Sequence, residues 1–348
     1  AGLVRFFENQ RNVTIYSRSD DDKKWLLSVS GPDEPGSFYL YDRTARKVDV
    51  IGSRYPHLHP DRLGPMRRVD YRAQDGTALH GYLTTPPGAP GARPAPLIVM
   101  PHGGPEVRDV YDYHPWVQFL ASRGYAVFQP NFRGSSGFGR AFAEAGYGQW
   151  GGLMQQDVLD GVDALVAQGL ADPSRMCIVG ASYGGYVALQ AATATPDRFR
   201  CVVSIAGVSD LVQTQNNDRR IHGVDSEVYE YWVRSVGDPR RDREKLESRS
   251  PIRFVSAVQA PVLLVHGRLD GIVLYSESER MERALRGAGK SVKLVTLERE
   301  GHRNWSDQST TLFFNELEAF LKSHLPVDPA GATAVAPAPA PAPAPAPK

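Results

Sequence analysis

A serine stands between two glycines at the point where a strand pattern changes into a helix pattern. An apolar run at 176–179 leads into Gly180-Ala181-Ser182-Tyr183-Gly184, and a helical pattern of small residues follows. This order is typical of a nucleophile elbow, a strained turn that lifts the serine hydroxyl clear of the backbone. A serine hydroxyl becomes an effective nucleophile only beside a base and beside donors for the developing oxyanion. The sequence therefore predicts Ser182 as a nucleophile.

An acid and a histidine follow this serine in the chain order that such a hydrolase needs, which is Ser, Asp or Glu, then His. A strand pattern at 262–265 leads into a loop with Asp270, and a strand pattern at 292–297 leads into a loop with His302. We expect the three residues at adjacent strand ends. His302 would take the serine proton and return it to the leaving group, while Asp270 would hold the imidazole tautomer. Glu298 and Glu300 are the alternative acids, but we interpret them as solvated loop charges.

Donors for the oxyanion are predicted at two places. The first is the backbone amide of Tyr183, the residue after the nucleophile, and the second is an amide in the loop after an early strand. That loop reads His102-Gly103-Gly104-Pro105, where glycine lets the backbone turn its amides inward. Gly104 is the predicted second donor, the alternative being a glycine turn with no catalytic amide. His102 is interpreted as a structural histidine.

The surrounding chain alternates strand and helix patterns, after a stretch of strands only. Short strands are predicted at 13–17, 25–30, 37–41 and 47–51, and a hairpin with strands at 68–72 and 79–83. Further strands are predicted at 97–100, 126–129, 176–179, 201–205, 262–265 and 292–297, with helices at 114–123, 153–168, 183–194, 276–287 and 308–323. This alternation predicts a mostly parallel, doubly wound sheet covered on both faces, which is an α/β-hydrolase fold.

Three segments are predicted. Residues 1–62 hold four strands, which is the size of one β-propeller blade. Residues 63–326 form the α/β-hydrolase domain. Residues 327–348 are dominated by Ala-Pro repeats and are expected to be an extended, disordered tail, because they offer few apolar side chains to bury.

Composition excludes several classes of function. In 348 residues, 40 Lys and Arg stand against 39 Asp and Glu, and no basic stripe interleaved with aromatics indicates nucleic-acid binding. Apolar stretches fall well short of the roughly 20 residues that span a membrane. The nine histidines are scattered, so neither a metal site nor a cofactor is expected. Cys177 and Cys201 lie in predicted strands, where we expect buried free thiols.

Several segments together resemble the prolyl oligopeptidase family, nearest its acylaminoacyl-peptidase and dipeptidyl-peptidase branches. They are His102 to Pro105, Asn131 to Gly139, Gly180 to Tyr186, His266 to Asp270, and Gly301-His302, within residues 66–326. The resemblance implies a serine peptidase that cleaves short peptides, through an acyl-enzyme, after a residue held in a hydrophobic pocket. On this chain the pocket would be walled by Tyr183, Tyr231, Trp232 and Val273. A carboxylesterase with the same triad and a non-catalytic hydrolase-like interaction module remain alternatives.

The sequence departs from that family at its beginning. The resemblance implies a multi-blade propeller that filters substrates by size, whereas only about one blade is predicted here. The first residues show neither an initiator Met nor a hydrophobic signal region, so we expect a removed leader or a piece of a longer protein. Cytoplasm and periplasm both stay open as compartments. Besides a short peptide, the partners left open are a second copy of the chain and the absent propeller portion.

Overall fold

The computed structural model describes residues 2–7, 11–88 and 93–327, which form two β-sheets and the helices around them. The strands are β1 Asn12–Arg18, β2 Lys24–Gly31, β3 Glu34–Asp42, β4 Lys47–Ser53, β5 Met66–Arg72, β6 Ala78–Thr84, β7 Leu97–Val99, β8 Ala126–Asn131, β9 Met176–Ala181, β10 Cys201–Ile205, β11 Val262–Gly267 and β12 Val292–Leu297. The helices are α1 Gly2–Phe6, α2 Pro115–Ser122, α3 Arg140–Glu144, α4 Leu153–Ala167, α5 Tyr183–Ala194, α6 Leu211–His222, α7 Glu227–Ser235, α8 Arg243–Ser248, α9 Ser276–Gly287 and α10 Asp307–His324, with 3-10 turns at Pro60–Arg62 and Pro251–Ala257.

The large sheet comprises β5 to β12 in the order β12-β11-β10-β9-β7-β8-β6-β5. The strands from β12 to β8 run parallel to one another, and β6 and β5 are antiparallel additions at one edge. This is the α/β-hydrolase arrangement, and it confirms the predicted fold class. Because parallel strands end at the same edge, the loops after β9, β11 and β12 all emerge on one side of the sheet.

Helices cover both faces of the large sheet, which explains why its strands are apolar throughout. On one face α4, α5 and α9 contribute to a hydrophobic cluster with residues such as Phe128 and Ile178. On the other face α2 and α10 pack over Ile98, Val203 and Leu263. The strands between them are closed off from solvent on both sides, so the loops that follow them are held by rigid elements.

Five helices, α1, α3, α6, α7 and α8, were not predicted from the sequence. α6 carries few apolar residues, so its periodicity is weak, but its cap is recognisable because Asp210 accepts a hydrogen bond from the Gln213 amide at 3.1 Å. The Ser226 hydroxyl accepts one from the Tyr229 amide at 3.1 Å at the start of α7. Capping Asp and Ser residues were therefore the available signal.

The two cysteines form a disulfide, so the expectation of free thiols was wrong. Cys177 on β9 and Cys201 on β10 are direct register partners in neighbouring parallel strands, with their Cα atoms 4.8 Å apart. The sulfur atoms therefore face each other on the same side of the sheet. Which strands are neighbours is a property of the sheet order, and the spacing along the chain does not show it.

The N-terminal sheet comprises β1 to β4, an antiparallel meander in sequence order. It contacts the rest of the chain mainly through the end of β2 and the loop before α2. Gln118 of α2 donates to Pro32 O at 3.1 Å, and Ser30 Oγ donates to Asp112 at 2.9 Å. Leu27 is buried, whereas Val50 and Ile51 on β4 are exposed. Of the predicted tail at 327–348, Val327 is described and packs against the hydrophobic cluster under α10, and residues 328–348 lie outside the described residues.

Candidate active site

The turn at Ser182 has the strained backbone of a nucleophile elbow. Its φ of 57° and ψ of −118° lie in a region that non-glycine residues rarely adopt. The turn is held because the Ser182 amide donates to Ile205 O at 2.8 Å. A Cβ built on Gly180 lies 2.1 Å from Gly184 O, so a side chain there would collide with the backbone. The two flanking glycines therefore let strand β9 turn directly into helix α5.

The structure brings Asp270 and His302 together. His302 Nδ1 lies 2.6 Å from Asp270 Oδ2, while the amides of Ile272 and Val273 donate to Asp270 Oδ1 at 2.8 and 3.0 Å. With Nδ1 directed at the carboxylate, Nε2 is the nitrogen left for a proton from elsewhere. Among the described residues the Ser182 hydroxyl has no hydrogen-bond partner, which is common in ligand-free sites that tighten only around substrate.

A second histidine lies on the other side of the same carboxylate. His266 is fully buried, and its Nε2 lies 2.9 Å from Val273 O and 3.3 Å from Asp270 Oδ2. A carbonyl oxygen can only accept, so Nε2 carries the proton and points it at both oxygens. Nδ1 then accepts from Ser278 Oγ, 2.7 Å away. His266 belongs to the motif His266 to Asp270, but no role was predicted for it.

These contacts stabilise the ionised form of Asp270. Burial by itself raises the pKa of its carboxyl, but hydrogen bonds from His266, His302 and the Ile272 amide outweigh it and hold the pKa well below its usual range. A carboxylate that stays ionised can orient the imidazole and stabilise its charged form.

The strand ends are arranged slightly differently from the expectation. β9, β11 and β12 carry the three residues, but β10 lies between β9 and β11, so the three ends are not all adjacent. The strand between them, β10, contacts both neighbours at this end of the sheet. Ile205 O accepts from the Ser182 amide, and the Ala206 amide donates to Val265 O, each at 2.8 Å. β10 therefore links the turn of the serine to the strand of the acid.

Hydrogen bonds hold the loop that carries His302 on both sides of this residue. Trp305 Nε1 donates to Gly301 O at 2.9 Å, and the Ser306 hydroxyl donates to Glu300 at 2.6 Å. Glu300 is therefore buried at the start of α10, and its interpretation as a solvated charge was wrong. Glu298 lies at the surface and pairs with Arg268 at 3.2 Å, as expected.

The glycine loop predicted to supply an oxyanion donor packs against the elbow. A Cβ built on Gly103 lies 3.4 Å from Ser182 Cβ, and one built on Gly184 lies 2.1 Å from Pro101 O. Gly104 follows with a φ of 109°, a conformation that favours glycine. The Tyr183 amide is the first of α5 and has no acceptor within its own helix. Both predicted donors thus lie beside the serine.

His102 supports this loop from inside. Its Nδ1 lies 2.7 Å from Gly103 O, its Nε2 lies 2.9 Å from Ser135 Oγ, and its ring stacks on Phe132 with centroids 4.3 Å apart. Burial lowers the pKa of His102 to about 4. The ring is therefore neutral near pH 7, and its contacts are those of a structural residue.

Aromatic side chains line the region beyond Tyr183. We define the aromatic wall as Tyr147, Trp150, Tyr183, Tyr231 and Trp232. The ring centroids of Trp150 lie 4.5 Å from Tyr183 and 6.2 Å from Trp232, and Tyr231 lies 5.0 Å from Trp232. Of the predicted pocket residues, Tyr183, Tyr231 and Trp232 thus belong to one series of ring contacts, in which Tyr183 and the linking Trp150 are buried. Trp150 was missed because it lies in a glycine-rich turn without periodicity.

The fourth predicted pocket residue, Val273, belongs to the loop of the acid. It is buried in the same hydrophobic cluster as Tyr183 and Trp150. Its amide donates to Asp270, and its carbonyl accepts from His266. Any substrate role comes in addition to this structural one.

The described residues, with gaps at 8–10 and 89–92, show no group of three or more His, Cys, Asp or Glu placed to hold a metal ion. Over the same ranges, no helix combines the length and apolar character needed to cross a membrane.

The sheet, the elbow and the order of the three residues define an α/β-hydrolase. Residues 112–327 match the prolyl oligopeptidase family, and the chain belongs to that family of serine hydrolases. This confirms the resemblance inferred from the motifs.

Curated relatives carry peptidase names. The chain is 36% identical over 318 residues to dipeptidyl aminopeptidase BIII of Pseudoxanthomonas mexicana, covering 89% of this chain and 46% of the relative. It is 34% identical over 344 residues to dipeptidyl peptidase family member 6 of Caenorhabditis elegans, covering 90% and 45%. The chain therefore spans about half the length of the curated relatives it matches.

Solved structures agree on the architecture. A puromycin-hydrolyzing peptidase of Mycobacterium tuberculosis superposes with a TM-score of 0.78 at 29% identity, covering 87% of this chain and 46% of that one. The acylaminoacyl peptidase of Pyrococcus horikoshii superposes with a TM-score of 0.77 at 24% identity, covering 89% and 49%, and this likeness concerns the fold alone.

Proposed function

We propose that this chain is the catalytic portion of a serine peptidase that hydrolyses short peptides with Ser182, Asp270 and His302 as its triad. The observation that carries the proposal is the 2.6 Å contact between His302 Nδ1 and Asp270 Oδ2 on the same sheet edge as the strained Ser182 turn. The two residues are 32 positions apart in the chain, so this contact forms only because the fold brings their two loops together.

The proposed reaction has two halves. His302 Nε2 takes the proton of the Ser182 hydroxyl while Ser182 Oγ attacks the peptide carbonyl. The imidazolium of His302 then protonates the leaving amine. Water attacks the acyl-enzyme in the second half, again with His302 as base. Asp270 stabilises the imidazolium throughout without itself accepting the proton.

The remaining proposed residues act on the substrate. The amides of Gly104 and Tyr183 stabilise the oxyanion, which forms beside the glycine loop. Tyr183, Tyr231 and Trp232 offer an apolar surface for the side chain before the cleaved bond, with Val273 beneath it. The names of the relatives favour release of dipeptides or acylated residues from the amino end of a peptide.

We further propose that residues 1–62 correspond to propeller-like strands and residues 63–326 to the hydrolase domain. In this arrangement the N-terminal sheet contacts α2 and the loop before it. Peptides longer than a tripeptide should then reach Ser182 more easily than in a protein with a full propeller, which a length series of fluorogenic peptides can measure.

Labelling with a fluorophosphonate tests the triad. The wild-type chain should be labelled on Ser182, and Ser182→Ala should lose both the label and at least about 10⁴-fold in kcat/KM, because triad members act as a unit. Ser174→Ala, an exposed serine at the opposite end of the sheet, is the matched control and should keep both. Label that persists in Ser182→Ala would refute the assignment, and a panel of esters and peptides separates esterase from peptidase activity.

A further inference from the structure

A buried carboxylate on α9 holds the loop that follows β10. Glu277 lies in the first turn of α9 and is only 1% exposed, a depth at which a carboxylate needs partners. Its Oε2 accepts hydrogen bonds from the Ser209 and Asp210 amides at 2.8 and 3.0 Å and lies 2.8 Å from the Ser209 hydroxyl. Its Oε1 accepts from Arg280, which also reaches Asp210 Oδ2 at 3.2 Å. Both carboxylate oxygens are therefore paired, one with consecutive residues of the loop and the other with an arginine.

The same loop packs against the turn of the nucleophile. Ile205, the last residue of β10, accepts a hydrogen bond from the Ser182 amide. Two residues later the backbones of Gly207 and Gly185 touch. A Cβ built on Gly185 lies 2.8 Å from Gly207 Cα, and one built on Gly207 lies 2.7 Å from Gly185 C. The carboxylate of Glu277 therefore fixes the loop two residues beyond its contact with the first turn of α5.

The next residue of α9 supports the acid. Ser278 is buried, and its Oγ lies 2.7 Å from His266 Nδ1. His266 Nε2 in turn lies 3.3 Å from Asp270 Oδ2. Backbone hydrogen bonds hold consecutive residues of a helix at a fixed separation. The first turn of α9 thus contacts both halves of the candidate site, the loop beside the serine through Glu277 and the support of the acid through Ser278.

We propose that Glu277 is a positioning residue, which sets the distance from Ser182 to the imidazole of His302 by fixing the loop after β10 to the helix that supports the acid. The proposal rests on the proposed function and adds to it a residue that touches no reacting atom. A displacement of about 1 Å in an active site costs about 100-fold in rate. Loss of the buried carboxylate leaves the Ser209 and Asp210 amides without their acceptor, so the loop must shift.

The rate of labelling by a fluorophosphonate measures this geometry, because labelling needs an activated Ser182 and no particular peptide. Glu277→Met replaces the carboxylate by an apolar side chain of similar length and should slow labelling by about 10- to 100-fold. Glu277→Gln keeps an oxygen that accepts from the loop amides and should recover most of the loss. With an activated ester as substrate, kcat should fall with the labelling rate while KM stays within about 3-fold, because no substrate contact is removed.

Two variants separate positioning from a general loss of stability. Glu282→Met makes the same substitution on the same helix, at a residue that pairs with Arg286 at 2.9 Å, and should label at the wild-type rate. Leu321→Ala removes a fully buried side chain in the last turn of α10 and should destabilise the fold without slowing the labelling of chains that circular dichroism shows to be folded. Labelling that slows equally in Leu321→Ala and Glu277→Met would overturn the proposal, because the role of Glu277 would then be structural only.

Arg280→Met tests the same link if Glu277→Met does not fold. Arg280 contacts both Glu277 and Asp210, and its side chain is 28% exposed, so its removal leaves the loop amides paired. We expect labelling about 3- to 10-fold slower than in the wild type. Labelling at the wild-type rate by folded Glu277→Met, or by Arg280→Met where only that variant folds, would overturn the proposal.

The same measurements distinguish a failure of this proposal from a failure of the proposed function. A wild-type chain that is labelled but cleaves no peptide would refute the peptidase assignment, while the labelling rates of the variants still decide the role of Glu277. A wild-type chain that takes no label would refute the triad and the positioning role together.

Discussion

The two sheets of this chain differ in how completely they are buried. Every residue of β8, β10 and β11 in the large sheet is buried, whereas no residue of β1 or β4 in the N-terminal sheet is. The large sheet is covered by helices on both faces, and its strand ends are rigid enough to hold reacting groups. In the N-terminal sheet the buried residues lie in β2 and at the start of β3. The large sheet can therefore hold the candidate catalytic residues in place, whereas the N-terminal sheet depends on neighbouring elements for its stability.

The largest expected difference between the two sheets is the loss of kcat/KM when one carboxylate is removed from each. Asp270→Asn should lower kcat/KM by about 10³- to 10⁴-fold, because an amide favours the wrong imidazole tautomer. Asp49→Asn, which removes an exposed carboxylate of β4 that pairs with Lys47, should leave kcat/KM unchanged. Steady-state kinetics on an activated substrate measure both. Near wild-type turnover by Asp270→Asn would assign the orienting acid to another residue.

A smaller effect is expected at His266, which positions the acid without contacting substrate. His266→Leu should lower kcat/KM by about 10- to 100-fold, since a displaced carboxylate misplaces the base. His266→Gln retains a donor toward Val273 O and Asp270 and should recover part of the loss. The pH profile of kcat/KM should shift in the leucine variant. If both variants lose the same activity through unfolding seen by circular dichroism, His266 is structural only.

The loop between β7 and α2, which contacts the N-terminal sheet, contains a pH-sensitive carboxyl. Burial raises the pKa of Asp109 to about 7, while Gln129 donates to its Oδ1 at 2.7 Å. An unfolded Asp titrates near 3.9, so the folded chain holds this proton more tightly, and the resulting stability is present below about pH 4 and lost as pH rises through 7.

Asp109→Asn keeps the shape and removes the charge. It should therefore raise the free energy of unfolding at both pH values, and by about 2 to 3 kcal/mol more at pH 8 than at pH 5, where the unfolded carboxyl is ionised but the folded one still holds its proton. Urea titrations at the two pH values measure the difference. An equal effect at both would show that Asp109 does not titrate in this range.

The smallest effect tests the surface of the N-terminal sheet. Ile51→Ala removes an exposed side chain of β4 and should change the free energy of unfolding by less than about 0.5 kcal/mol. Leu263→Ala in fully buried β11 should cost about 2 to 5 kcal/mol. A cost above about 1 kcal/mol for Ile51→Ala would mean that β4 is covered in solution, for example by a second copy of the chain.

Short sequence patterns predict the parallel sheet and the elbow of this chain. Continuous apolar runs between helical periods indicated a parallel sheet, because only strands buried on both faces can be apolar at every position. The glycines around Ser182 indicated the elbow, because a side chain at Gly180 or Gly184 would collide with backbone. These signals are short in sequence and need no knowledge of which elements are neighbours.

Other features follow from contacts between distant segments. Free thiols were expected, but β9 lies beside β10 in the sheet, and Cys177 is bonded to Cys201. Glu300 was expected to be a surface charge, but it is buried and accepts a hydrogen bond from Ser306, which precedes α10. In both cases the deciding partner lies on an element whose position is set by packing.

The fold class, the elbow and the chain order of serine, acid and histidine can be read from the amino-acid sequence alone. Each of these depends on the side-chain sizes and periodicities of a few consecutive residues. That His266 and His302 share the Asp270 carboxylate depends on the packing of segments that are distant in the chain. Hydrogen bonds and ion pairs act over a few ångströms, and the packing of the whole sheet sets which residues come that close.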